Sequence, residues 1–156
     1  MVGPGASLAG LELLEAVLDG ARPQPAIGTA LNMTLVEVED RRTVFEGRPT
    51  EAHTNMLGAV HGGYAATVLD SAMGCAVLTT VPSGHEVSTV SLEVKLIRPL
   101  VPGTLVLAEG VVIHAGRTHA VAEGSLRDAE TGKLLAHGTT TCMISDSRSA
   151  AEGAPG

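Results

Sequence analysis

An α+β fold, with one long alanine-rich helix packed on an antiparallel sheet of five or six strands, is what this 156-residue chain predicts. Three observations carry the expectation. Only one long stretch, Gly62 to Thr80, is rich in alanine and short of β-branched crowding. The last third runs as successive period-two segments separated by turn residues. Apolar residues make up 44% and charged residues 17%, which excludes a disordered chain. With Phe45 and Tyr64 as the only aromatic residues beside no Trp, the core has to be aliphatic.

In chain order, residues 1–7 read as a loose start. Ser7 can cap a helix over Leu8–Leu18, with Leu11, Leu14 and Leu18 on one face, and Gly20, Pro23 and Pro25 end it. Residues 1–25 are thus an N-terminal helical extension to a domain spanning 26–145. Ile27 to Glu39 reads as a strand, because Leu31, Met33 and Leu35 alternate with polar neighbours. Asp40-Arg41-Arg42 turns it into a second strand, Thr43–Arg48, and residues 49–61 are a polar loop. After the long helix, Val81-Pro82-Ser83-Gly84 is a stop. Strands then cover Glu86–Arg98, Thr104–His114, Thr118–Asp128 and Leu134–Ile144, the last three forming a meander through short turns. The Gly- and Pro-containing tail, 146–156, reads as disordered.

Composition also removes classes of function. Ten basic against seventeen acidic residues give a net charge of −7, so no nucleic-acid partner is expected. No apolar run reaches the ~18 residues of a membrane helix, and the first residues do not read as a secretory signal. Cys75 and Cys142 have no zinc spacing and read as a reduced pair, so a cytoplasmic protein is expected. His53, His61, His85, His114, His119 and His137 fit no metal-ligand spacing. Gly132-Lys133 is a hairpin turn rather than a P-loop, and Ser71 and Ser91 lack a nucleophile-elbow context.

The chemistry is concentrated between Asn55 and Ser91. The long helix opens with His61-Gly62-Gly63. A helix start offers unpaired N–H groups and the positive end of the dipole, which suit an anion or a carbonyl oxygen becoming negative. Equally, the two glycines can serve only to shape the loop-to-helix junction. Asp70 lies mid-helix with Ala66, Met73 and Gly74 as helical neighbours. It is either solvated or kept for use; the absence of any other charge in the surrounding run favours use. Gly62 and Asp70 are eight residues apart, hence ~12 Å along the axis and ~80° around it. If they act together, they come from two copies with antiparallel helices. Lys95, Arg98, Arg117 and Arg127 read as strand-edge charges, with Arg117 in a turn that a nucleotide tail can reach.

The pattern Asn55-x5-His61-Gly62-Gly63-x6-Asp70, continued through Ser88 and Arg98-Pro99, resembles the signature of hotdog-fold acyl-CoA thioesterases. The resemblance spans residues 27–144 and lies with the PaaI-like (phenylacetate-pathway) and hydroxybenzoyl-CoA thioesterase group. One hydroxybenzoyl branch has Glu and Gln where this chain has Asp70 and Asn55, which favours the PaaI-like group. The resemblance implies that the Gly62 N–H polarises the thioester carbonyl. It gives Asn55 the water or the thioester to hold, and makes Asp70 of the partner subunit nucleophile or general base. Ser88 assists that carboxylate, His61 fixes the loop beside the substrate with Gly63, and Arg117 meets the coenzyme A tail. It implies an acyl-CoA substrate, no metal or organic cofactor, and a homodimer at minimum with a homotetramer expected. The alternatives are a hotdog acyl-thioester hydratase or dehydratase, which wants a His–acid pair near the helix start, and a non-catalytic acyl-CoA-binding module.

Overall fold

The computed structural model describes residues 8–147. The expected loose start, 1–7, and residues 148–156 of the expected disordered tail lie outside the described residues, while the first two residues of that tail are ordered, Asp146 ending the last strand and the Ser147 N–H donating to the Gly84 carbonyl at 3.0 Å. The elements are α1 (Gly10–Leu18), α2 (Ala26–Leu31), β1 (Met33–Glu39), β2 (Arg42–Gly47), α3 (Gly62–Leu78), β3 (His85–Leu96), β4 (Val106–Ala115), β5 (His119–Asp128) and β6 (Leu134–Asp146). The α+β expectation holds, with six strands in one antiparallel sheet ordered β1-β2-β4-β5-β6-β3. β4, β5 and β6 form the meander, while β3 crosses over to pair with β6 and becomes an outer edge.

Two readings of the N-terminal part are corrected. The N-cap of α1 is Ala9, whose N–H donates to the Glu12 carboxylate at 3.2 Å, and the proposed cap Ser7 lies outside the described residues. The buried face is Gly10, Leu14 and Val17 rather than Leu11, Leu14 and Leu18. The end of α3 decides this: the Gly10 N–H donates to the Val81 carbonyl at 2.9 Å, and a Cβ on Gly10 would lie 1.8 Å from the Leu78 oxygen. The second correction concerns Ile27–Leu31, which is helix α2 and not strand. Pro25 caps it, and Asn32 ends it in the left-handed region at φ 50°, with its N–H on the Gly28 and Thr29 carbonyls. The true alternation starts at Met33. The Gln24 side chain then covers the edge of β1, accepting the Leu35 N–H at 3.1 Å and donating to the Leu35 carbonyl at 3.3 Å.

α3 lies on the sheet with Val68, Leu69, Ala72, Met73 and Ala76 fully buried. Thr43 of β2 donates its hydroxyl to the Ala72 carbonyl at 2.7 Å. The helix ends at Leu78, two residues before the expected Thr80, where the Thr79 hydroxyl turns back to the Ala76 carbonyl and accepts the Arg41 N–H. The closest approach is at Gly110 of β4, where a Cβ would stand 2.4 Å from the Ala72 oxygen and 2.6 Å from the Met73 nitrogen. Those are backbone atoms and cannot rotate aside. Gly110→Ala is therefore expected to destabilise the protein by about 2–3 kcal/mol, the upper range for overpacking. The urea midpoint checks this; an unchanged midpoint would show that helix and sheet separate freely.

Candidate active site

The loop before α3 is built around Asn55. A 3-10 turn, Glu51–His53, precedes it, and an isolated bridge joins Thr54 to Val60. The Asn55 N–H donates to the Ala59 carbonyl at 2.7 Å, and Gly58 takes φ +80° to close the turn. Asn55 Oδ1 accepts the Leu57 and Ala59 N–H groups at 2.9 and 3.3 Å. The carbonyl end of this side chain is committed to the loop, so what it offers a ligand is its Nδ2 donor. His53 ties the loop to α2, accepting the Thr50 N–H on Nδ1 and meeting the Ala30 carbonyl through Nε2 at 2.9 Å.

His61 is the N-cap of α3, and its Nδ1 accepts the Gly63 N–H at 2.9 Å. The imidazole thus fixes the loop to the helix start, and the Gly63 N–H is occupied by it. The Gly62 N–H is left with no hydrogen-bond partner among the described residues. A Cβ on Gly62 would lie 2.6 Å from Leu96 Cδ1, so glycine also lets helix and β3 touch. A depression of about 340 Å³ opens at this helix start, lined by Asn55, His61, Gly62 and Ala65 together with Leu96 and Ile97.

Asp70 is not in that depression. It is half-buried on α3, and its Oδ1 accepts the Thr89 hydroxyl at 2.9 Å. Within one chain the contact expected of Ser88 is thus made by Thr89. Strand alternation explains it: Val87 packs against the core and Thr89 pairs with the buried Cys142, whereas Ser88 pairs with the exposed Met143 on the outer face. Thr89 is a functional candidate that the motif-based reading missed, and the alternation around Val87 was the signal for it.

Arg117 is not brought to the depression by its own chain. Its turn follows β4 beyond Val112, whose N–H donates to the Arg41 carbonyl, and Arg41 contacts Thr79 at the far end of the 17-residue α3, ~25 Å from Gly62. The cysteines are poor nucleophiles: burial pushes the Cys75 thiol up to about 12, and burial also raises Cys142. Among the described residues no three His, Cys, Asp or Glu side chains converge as a metal site, and no helix is long and apolar enough to cross a membrane.

Arg98 also lines the depression, and several large apolar side chains are exposed nearby. Met56 and Leu57 at the loop tip are 99% and 86% exposed, and Val90, Leu96 and Ile97 are exposed along and just beyond β3. β3 is a 12-residue outer strand with one side unpaired.

Residues 57–135 match the family model described as the thioesterase superfamily. Mouse acyl-coenzyme A thioesterase 13 is 33% identical over 109 residues, covering 70% of this chain and 77% of the relative. A phenylacetic acid degradation-related protein of Ralstonia eutropha JMP134 has a similar structure, with a TM-score of 0.75 and 29% identity over 83% of this chain and 97% of that one. A mutant of the phenylacetic acid degradation protein PaaI from Thermus thermophilus follows at a TM-score of 0.70 and 26% identity, over 76% and 98% of the two chains.

Proposed function

The chain belongs to the thioesterase superfamily, with the hotdog arrangement of one long helix on an antiparallel sheet, and on that premise we propose that it hydrolyses acyl-CoA thioesters to the free acid and coenzyme A in sites shared between two copies. The observation that carries this reading is the separation of the two reactive groups. The unpaired Gly62 N–H and the Asp70 carboxylate sit ~12 Å apart on one rigid helix and cannot meet on a single carbonyl. Two helices packed antiparallel bring the Gly62 of one copy to the Asp70 of the other. The exposed apolar residues around the depression and the open edge of β3 support such a pairing, because both are unfavourable to leave in water.

In this arrangement the Gly62 N–H, reinforced by the helix dipole, stabilises the oxygen of the thioester carbonyl as it becomes negative. The Asn55 Nδ2 donates to the thioester oxygen or to the attacking water. Asp70 of the second copy either attacks the carbonyl carbon itself or takes a proton from the water that does. Where Asp70 attacks, the coenzyme A thiolate departs from an acyl–Asp70 anhydride that water then hydrolyses, giving the acid, the regenerated carboxylate and a proton for the thiolate. Where Asp70 deprotonates water, the hydroxide adds to the carbonyl carbon, the carbon–sulfur bond breaks and the proton passes from Asp70 to the leaving thiolate. Thr89 holds Asp70 in place from the same chain, and Ser88, on the outer face of β3, acts on that carboxylate only across a subunit contact. Arg117 is a candidate for the coenzyme A phosphates of a neighbouring copy. The exposed Leu107, Val111, Ile113 and Met143 of β4 and β6 support a further pairing of dimers into a tetramer, and two free thiols support a cytoplasmic setting.

A complementation assay tests the shared site. Asn55→Ala and Asp70→Ala homodimers each carry two damaged sites. Co-expressed, they form heterodimers in which one site has both residues intact. Thiol release from an acyl-CoA is expected to return to about half of wild type per heterodimer. Verified heterodimers as inactive as both parents would show that the two residues act within one chain.

A further inference from the structure

Gly74 is a glycine that its own chain does not need. It sits inside α3, where glycine costs about 1 kcal/mol relative to alanine. Gly10, Gly62, Gly63 and Gly110 each face an atom that a Cβ would strike, but a Cβ on Gly74 would meet nothing within 4 Å. The bare patch lies on the partly exposed side of the helix, one turn after Asp70 and ~40° around from it. Continuing around the helix in the same direction, Ser71 and Cys75 border a small cavity of about 70 Å³. Its other walls are Ile27 of α2, Met33 of β1 and Phe45 of β2. Gln24 also borders it, but its amide is committed to Leu35, and no charged side chain lines the space.

These features form a track from the catalytic carboxylate, over a surface without a side chain, to an apolar recess beside α2. We propose that Gly74 and the recess beside Cys75 form the acyl-tail subsite, and that they select straight-chain alkyl-CoA thioesters over aryl ones. This rests on the thioesterase reading above. The recess is too small for a ring, since a cavity of ~150 Å³ is what accepts benzene, but it has room for the end of an alkyl chain. Cys75 is ~7.5 Å along the axis and ~140° around from Asp70, so a tail reaching the recess needs on the order of eight to ten carbons. The subsite belongs to the chain that supplies Asp70, while the carbonyl is held by the Gly62 of the other copy.

The test is kcat/KM over a series of straight-chain acyl-CoAs from acetyl to dodecanoyl, with phenylacetyl-CoA alongside. Wild type is expected to prefer octanoyl- to decanoyl-CoA over both acetyl- and phenylacetyl-CoA. Gly74→Leu obstructs the track, and Ile27→Glu, at a position 46% exposed, puts a charge at the rim of the recess away from the helix face. Each is expected to lower the decanoyl-to-acetyl ratio by at least ~10-fold, the lower bound for one lost methylene contact. Gly74→Ala serves as the folding control and is expected to raise the melting temperature. Equal losses on every chain length in both variants, or a wild-type preference for phenylacetyl-CoA, overturn the subsite and leave the thioesterase reading standing. A folded wild-type protein that releases thiol from no member of the series overturns both.

Discussion

Asp70→Asn is expected to lower kcat by at least ~10²-fold, the low end for a positioned acid or base, while the protein stays folded. The substitution is nearly isosteric, and the amide oxygen still accepts the hydroxyl of Thr89, which lies 2.9 Å from Asp70 Oδ1. What is lost is the negative charge and with it the ability to attack carbon or to take a proton from water. Asp70 is the only charged residue of α3 and is half-buried, so its removal relieves some desolvation and the melting temperature is expected to hold or rise. Thr89→Val, by contrast, leaves the carboxylate in place without its hydroxyl and is expected to reduce kcat less. Steady-state kinetics with any hydrolysed acyl-CoA decides the matter. Turnover near wild type in folded Asp70→Asn removes the carboxylate from the mechanism.

Gly62→Pro is expected to lower kcat by ~10²–10³-fold, the usual loss on removing one oxyanion-hole donor. Proline is favoured at the first position of a helix, where the N–H has no intrahelical partner, so the helix itself tolerates it. The steric consequence falls on Leu96, whose Cδ1 lies 2.6 Å from where a Cβ would sit and whose flexible side chain can move. Gly62→Ala separates the two effects: it crowds Leu96 in the same way but keeps the N–H. A large difference in kcat between the two variants isolates the donor. Equal activity of the two, or a rise in KM alone, assigns Gly62 to packing or uniform binding instead of to the electrophile.

Much of the fold was legible in the residues because the deciding forces are local. Alanine-rich Gly62–Leu78 has no other way to bury its side chains than as a helix, and the period-two segments from Val106 onward meet through turns too short for any pairing but a meander. The helix start was legible too, since the first N–H groups of any helix lack an intrahelical partner. The stretch Ile27–Leu31 misled because its apolar spacing suits either element, and what made it helix was the cap geometry of Pro25 and Asn32 together with the edge of β1 that Gln24 had to cover.

By itself, then, the sequence determined one long helix on an antiparallel sheet, a carboxylate alone on that helix, and an N–H ~12 Å away from it; spacing along a rigid element is set by covalent geometry. Which hydroxyl meets Asp70 was decided only when β3 crossed over to pair with β6, a register that turns Thr89 inward and Ser88 out. The loss of Gly63 as a donor depended on the rotamer of His61, and the distance of Arg117 depended on which end of α3 the β4–β5 turn reaches. The open face of Gly74 was equally invisible along the chain, because an empty volume is a property of everything packed around it. Contacts between residues far apart in sequence follow from how the layers settle together, and no local pattern encodes them.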